Sequence, residues 1–147
     1  MSSRSGADTA AILLERATED EVAARSLIDV AGITDSTVGF HAQQAVEKSL
    51  KVALAFNDVE FPYSHDLNGL LRLCGKHGIE VPETLKGCGE LSIFAVRLRY
   101  GSEAPAPLDR DQALAWAAVA VAWARTTIEA KPRQDAPVEP GLDPASP

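Results

Sequence analysis

Apolar residues recur every three or four positions along most of this chain, which is the spacing of an amphipathic α-helix. The first such segment is predicted to run from about residue 8 to residue 31, and its apolar stripe consists of Leu14, Ala17, Ala24 and Ile28. Gly32 follows as the expected C-terminal cap. The acidic residues of the segment are assigned to its solvated face: Glu15, Glu19, Asp20 and Glu21.

A second segment extends from N-cap candidates at residues 33–37 to Phe56 and carries two contrasting stripes. The apolar stripe comprises Val38, Ala42, Ala45, Val52 and Phe56. The other stripe is polar and comprises His41, Gln44, Lys48 and Lys51. Glu47 and Lys51 stand four residues apart, so we expect them to pair on the helix surface.

Three further helices are expected. A short one begins near His65 and stops at Gly78, another is centred on residues 91–96, and a last one extends from Asp109 to about Lys131. No segment alternates with the two-residue period of a strand. The sequence therefore predicts an all-α fold, an antiparallel up-and-down bundle of four to five helices over residues 8–131. Residues 1–7 are expected to be flexible, and the proline-rich residues 132–147 are expected to form a disordered tail.

The last predicted helix has apolar residues on more than one side. One stripe contains Leu114, Ala117, Val121 and Ile128, and another contains Trp116, Ala120 and Trp123. So wide an apolar surface must be buried against more than one neighbour. Two explanations are open: a homodimer contact through Trp116 and Trp123, or a helix enclosed within its own core.

Composition narrows the classes of function. The formal net charge of −7 weighs against avid, non-specific binding of nucleic acid. No apolar run reaches the length of a membrane span or of a signal peptide, so a cytoplasmic protein without membrane contact is expected. Cys74 and Cys88 are isolated in the sequence, so we expect two buried, reduced thiols and no metal site. No cofactor motif is present.

Several short motifs, taken in order, resemble the HEPN family, the nucleotide-binding domain shared by higher eukaryotes and prokaryotes. Residues 16–20 read RATED and residues 23–27 read AARSL, as in the first helix of that family. The most recognisable segment, residues 40–51, reads FHAQQAVEKSLK, and it is followed by HDL at 65–67 and RY at 99–100. The resemblance covers roughly residues 16–128 and implies a small all-helical module.

Many HEPN proteins resemble metal-independent endoribonucleases, in which an Arg is followed after four to six residues by a His at a dimer cleft. There the Arg stabilises the charged phosphorane and the His moves protons. Residues 101–105 follow Arg99 here, and they contain no His. Arg72 and His77 satisfy the spacing, but they lie on the third predicted helix, where a surface Arg and a His at the helix C-terminus are the simpler interpretation.

Five residues are predicted to line an anion-binding groove for a nucleotide or an RNA phosphate: Gln44, Lys48, His65, Arg99 and Tyr100. Structural alternatives are open for several of the candidate residues, and Lys48 could be an ordinary solvated lysine. His65 could cap the third helix together with Asp66, His41 could be an interior histidine, and Arg99 could tie down a helix end.

The missing His after Arg99, the acidic balance of charges and the wide apolar surface of the last helix favour a non-catalytic HEPN-like module. Such a module would bind a nucleotide or RNA, or a minimal nucleotidyltransferase in a toxin–antitoxin-like system, and would form a homodimer. The alternative is a metal-independent endoribonuclease toxin that uses Arg99 with a displaced His41 or His65.

Overall fold

The computed structural model describes residues 5–95 and 107–130 of the chain. Within these ranges there are four α-helices: α1 (Gly6–Leu27), α2 (Asp35–Phe56), α3 (Leu67–Lys76) and α4 (Arg110–Glu129). Two 3₁₀ helices, Glu83–Leu85 and Cys88–Phe94, lie between α3 and α4, and no strand occurs in the described ranges. The prediction of an all-α bundle is confirmed.

The predicted helix starts are confirmed at two caps. The Thr34 hydroxyl accepts a hydrogen bond from the Thr37 amide at 3.3 Å, and α2 begins there. The Asp109 carboxylate accepts from the Gln112 amide at 3.0 Å and starts α4. Both side chains satisfy amides that a helix leaves unpaired in its first turn.

Two predicted helix bounds differ from the structure. The first helix ends at Leu27, so Gly32, with φ 87°, closes the following turn and does not cap the helix. The helix expected around residues 91–96 is instead the 3₁₀ helix Cys88–Phe94, in which the Glu90 amide donates to the Gly87 carbonyl at 3.3 Å. Glycines at its start disfavour an α-helix, so the tighter i→i+3 pattern prevails.

Helix α2 lies at the centre of the bundle, in contact with α1, α3, α4 and the second 3₁₀ helix. Residues with very small side chains face it from α1, where Ala10, Ala17 and Ala24 are fully buried. Small residues allow two helix axes to approach closely. As a result α2 is covered on most of its circumference, including positions that carry polar side chains.

Helix α4 packs against α1, α2 and both 3₁₀ helices. Trp116 is only 9% exposed, and Trp123 is partly buried against the same core. Much of the wide apolar surface of α4 is therefore buried against other elements of the same chain. The burial of Trp116 agrees with the alternative of a helix enclosed within its own core. A homodimer through Trp116 and Trp123 stays a prediction.

A ring-on-backbone contact joins the second 3₁₀ helix to α2. The Phe94 side chain is buried, and a Cβ added at Gly39 would lie 2.6 Å from the Phe94 ring. Only glycine allows the ring to approach the α2 backbone so closely. This contact holds the end of the 3₁₀ helix against α2 at a position two residues before His41, where the polar stripe starts.

The start of α4 is tied to the connection between α1 and α2 by one side chain. Arg110 Nε donates to Asp35 Oδ1 at 2.7 Å, and its two terminal nitrogens donate to the carbonyls of Ile28 and Ile33 at 2.8 and 2.7 Å. The guanidinium fork thus satisfies backbone carbonyls left open where α1 ends.

Candidate functional site

Three polar side chains of α2 point into the protein from one row. Gln43, Glu47 and Lys51 stand four residues apart and are 0%, 4% and 8% exposed. Gln43 Nε2 donates to Glu47 Oε1, and Lys51 Nζ donates to Glu47 Oε2, each at 2.8 Å. The Glu47 carboxylate therefore anchors an interior ion pair.

His65 joins this row from the loop that precedes α3. Its Nδ1 lies 2.9 Å from Glu47 Oε1, and Gln43 Nε2 also donates to the His65 carbonyl at 3.4 Å. The His65 side chain is 46% exposed, so the ring stands at the edge of the protein. The loop also covers Lys51, whose Nζ lies 5.6 Å from the centroid of the Phe61 ring.

A second carboxylate comes from α1. Asp20 Oδ1 lies 3.0 Å from His41 Nδ1, and Lys48 Nζ donates to Asp20 Oδ2 at 2.6 Å. Lys48 Nζ also donates to Gln44 Oε1 at 3.1 Å. Asp20 is thus shared by two groups of α2 that are separated by two helical turns.

One amide contact joins these two groups: Gln44 Nε2 donates to Gln43 Oε1 at 2.7 Å. The result is a continuous hydrogen-bonded set, here called the polar cluster. Its members are Asp20, His41, Gln43, Gln44, Glu47, Lys48, Lys51 and His65. From His41 to Lys51 it follows α2 for ten residues, or about 15 Å at the rise of an α-helix.

Glu47 is ionised despite its burial. Burial acts to raise the pKa of this carboxyl group, but hydrogen bonds from Lys51, Gln43 and His65, together with the Lys51 charge, lower it below its ordinary value of 4.5. Hydrogen bonds to the charged form of an acid favour that form.

Both histidines of the polar cluster are held in the same way. Each presents Nδ1 to a carboxylate, Asp20 for His41 and Glu47 for His65. Because an ionised carboxylate only accepts hydrogen bonds, Nδ1 carries the proton in each ring. The Nε2 atom is then the nitrogen through which each ring can take up a proton or bind an anion.

The structure brings together four of the predicted site residues, His41, Gln44, Lys48 and His65. Arg99 and Tyr100 lie outside the described residues. Asp66 is the N-cap residue of α3, but its side chain makes no capping bond, and His65 turns to Glu47 instead. The capping alternative for His65 is therefore wrong.

Sequence reasoning missed four members of the polar cluster, which are Asp20, Gln43, Glu47 and Lys51. Asp20 was assigned to the solvated face, but Lys48 and His41 draw it into the contact between α1 and α2. Glu47 and Lys51 do pair, yet inside the protein and not on its surface, because α2 is the central helix. The four-residue spacing of Gln43, Glu47 and Lys51 could have indicated this row.

The Arg72–His77 match lies on α3, as expected. Arg72 is exposed and its Nη2 lies 3.8 Å from Asp66 Oδ2, while His77 is exposed at the C-cap of the helix. Neither side chain makes a hydrogen bond to the polar cluster. This placement agrees with a surface Arg and a helix-terminal His.

The two cysteines are buried in the core, where burial raises the pKa of each thiol, Cys74 and Cys88, to about 11. They are protonated at neutral pH and are poor nucleophiles. In residues 5–95 and 107–130 no group of three or more His, Cys, Asp or Glu side chains is arranged to hold a metal ion. None of the helices formed by these residues is both long and apolar enough to cross a membrane.

Comparison with known proteins gives one match. A family model described as HEPN domain matches residues 10–126, a range that contains every member of the polar cluster. No curated protein and no solved structure matches the chain.

Proposed function

The chain belongs to the HEPN domain family, and from this premise we propose that the polar cluster binds a phosphate group of a nucleotide or of RNA. In this proposal the protein is a binding module and not a nuclease. No histidine follows Arg99 in the sequence, so the Arg-then-His order of the ribonucleases that HEPN proteins resemble is absent at that position.

One observation carries the proposal: two carboxylates serve four groups that are or can become cationic. Asp20 is shared by Lys48 and His41, and Glu47 is shared by Lys51 and His65. The two lysines balance the two carboxylates, so each histidine that takes up a proton gives the polar cluster one positive charge. In a chain of net charge −7, a polar cluster without net negative charge is a place where an anion meets less repulsion.

The accessible part of the polar cluster lies at its Asp20 end and at His65. Lys51 is buried, whereas the side chain of Lys48 is 24% exposed and that of His65 is 46% exposed. Lys48 has three N–H donors, of which Asp20 and Gln44 use two. The remaining donor and a protonated His41 can each donate to one phosphate oxygen.

Replacing Lys48 with alanine is expected to weaken binding of ATP or single-stranded RNA about 10- to 100-fold, the range for losing one charge-assisted hydrogen bond. Lys86→Ala is the matched control. Lys86 follows the 3₁₀ helix Glu83–Leu85, its side chain is exposed, and it forms a surface ion pair with Glu83. This substitution removes the same charge and should change binding less than about threefold in moderate salt. Isothermal titration at fixed salt measures both variants.

Equal losses of affinity in the Lys48→Ala and Lys86→Ala variants would mean that binding reflects net charge alone. The proposed phosphate site would then be contradicted. A circular-dichroism melt of each variant confirms that the bundle is intact. Binding by the wild type that does not weaken with salt would also contradict a phosphate contact.

An endoribonuclease is the second candidate, and the way His41 is held favours it. A carboxylate on Nδ1 orients the ring and stabilises its charged form, the arrangement by which a histidine becomes an effective acid–base group. Asp20→Asn discriminates between the two functions. Phosphate binding should be retained or strengthened when this negative charge is removed, whereas cleavage of RNA by His41 should fall by 10-fold or more. Absence of cleavage by purified wild-type protein would exclude the second candidate.

A further inference from the structure

Tyr63 is the most exposed large hydrophobic side chain of the described residues. It lies in the loop between α2 and α3 and is 96% exposed. Its ring centroid is 5.9 Å from that of His65, with the two rings inclined at 60°. An aromatic ring is therefore presented to solvent beside a member of the polar cluster.

The loop that carries Tyr63 is anchored on both sides of it. Before the ring, the Val59 amide donates to the Leu54 carbonyl at 2.8 Å and Phe61 packs over Lys51. After the ring, His65 is bonded to Glu47. Pro62, immediately before Tyr63, restricts the backbone further. Exposure of Tyr63 thus comes from an anchored loop, which lowers the entropic cost of stacking a ligand on it.

We propose that Tyr63 stacks on an unpaired nucleobase whose phosphate is held by the polar cluster. This inference rests on the proposed function and narrows its ligand to a base-containing phosphate compound, a nucleotide or single-stranded RNA. Every nucleobase offers a π-face, so such a contact selects for a base without selecting which base.

The charges around the ring favour a base at this end of the polar cluster and the phosphate at the other. Glu60 and Asp66 are both exposed beside this part of the loop, and Asp58 precedes it. These three carboxylates lie within five residues of Tyr63 in sequence, so their charge disfavours a phosphate group at this loop and leaves stacking unaffected. The partly exposed Lys48 instead pairs with Asp20 of α1, which it shares with His41.

The test compares Tyr63→Ala and Tyr63→Phe with wild type on three probes: a short labelled oligoadenylate, ATP and inorganic tripolyphosphate. Tyr63→Ala should weaken binding of the two base-containing probes about 5- to 100-fold, the range for one base–aromatic stack. Binding of tripolyphosphate should not change, and Tyr63→Phe should behave as wild type. Because Tyr63 is almost fully exposed, these substitutions do not remove core packing. The ratio of oligoadenylate to ATP affinity distinguishes RNA from a free nucleotide.

Unchanged binding of ATP and oligoadenylate by Tyr63→Ala would overturn the stacking proposal, as would an equal loss of tripolyphosphate. If Tyr63→Ala lost binding of a protein partner but bound oligoadenylate as wild type does, the stacking proposal would also be overturned. Tyr63 would then be assigned to a protein interface. Failure of the phosphate proposal has a different signature, in which Lys48→Ala has no effect on any probe while Tyr63→Ala still weakens oligoadenylate binding. A wild type that binds none of the probes would overturn both.

Discussion

Glu47→Leu is expected to lower the free energy of unfolding by about 3–5 kcal/mol, the cost of removing one partner from a buried ion pair. The substitution leaves the Lys51 ammonium group inside the protein without its carboxylate, and it removes the acceptor of Gln43 and His65. Both side chains of the pair are almost completely buried. Lys51, whose side chain is only 10% exposed, cannot recover the lost interaction by turning to water.

Chemical denaturation of Glu47→Leu, Lys51→Met and the double variant measures this effect. Because an apolar pair of similar volume often replaces a buried ion pair at little cost, the double variant should recover at least half of the loss seen in Glu47→Leu. Glu83→Leu serves as the control, since Glu83 pairs with Lys86 on the surface and should contribute less than about 1 kcal/mol. A loss below about 1 kcal/mol in Glu47→Leu would show that the carboxylate is solvated.

Lowering the pH should remove the contribution of the Glu47 carboxylate to folding stability. Its pKa is lowered in the folded protein, so its contribution is present above the ordinary value of 4.5 and is lost as pH falls through the lowered folded value. The difference in stability between wild type and Glu47→Leu should therefore narrow as the pH is lowered below about 4.5. Unfolding measured at several pH values checks the trend. A difference that widens in acid would mean that burial dominates and raises the pKa.

Phe94→Ala is expected to cost about 3–5 kcal/mol, the range for truncating a buried aromatic ring. Gly39→Ala should cost about 1–3 kcal/mol in the wild type, because the added Cβ would lie 2.6 Å from that ring. In the Phe94→Ala background the ring is gone, so Gly39→Ala should cost nothing or stabilise α2 slightly, as alanine favours a helix over glycine.

A double-mutant cycle of Gly39→Ala and Phe94→Ala, followed by thermal or chemical unfolding, tests this coupling. Gly75→Ala is the control, since Gly75 lies within α3 and a Cβ there would meet no atom within 4 Å. It should be neutral or stabilising. Additive losses in the cycle would mean that the ring and the glycine do not constrain each other.

Local signals in the sequence predicted local structure well. Thr34 and Asp109 start their helices as expected, because a cap depends on residues three positions away. The 3₁₀ helix before Ala95 was predicted as an ordinary helix, because apolar spacing does not distinguish a 3₁₀ from an α-helix over so short a segment.

The candidate site was predicted on α2 and at His65, but its contribution from α1 was not. His41, Gln44 and Lys48 could be placed on one stripe of α2 from their spacing, but nothing local indicated that Asp20 would meet them. Asp20 is separated in sequence by 21 residues from His41 and by 28 from Lys48. Such contacts depend on how α1 packs against α2, which spacing within one helix does not determine.

The hydrogen bonds of Arg110 bear on the order in which the chain assembles. This side chain binds the connection between α1 and α2 across 75 to 82 residues of sequence. Closing so long a loop costs entropy, whereas α1 and α2 are neighbours in sequence and can pair first. We therefore expect the Arg110 hydrogen bonds to form late in folding, when α4 docks on the paired helices. They should then slow unfolding more than they speed folding.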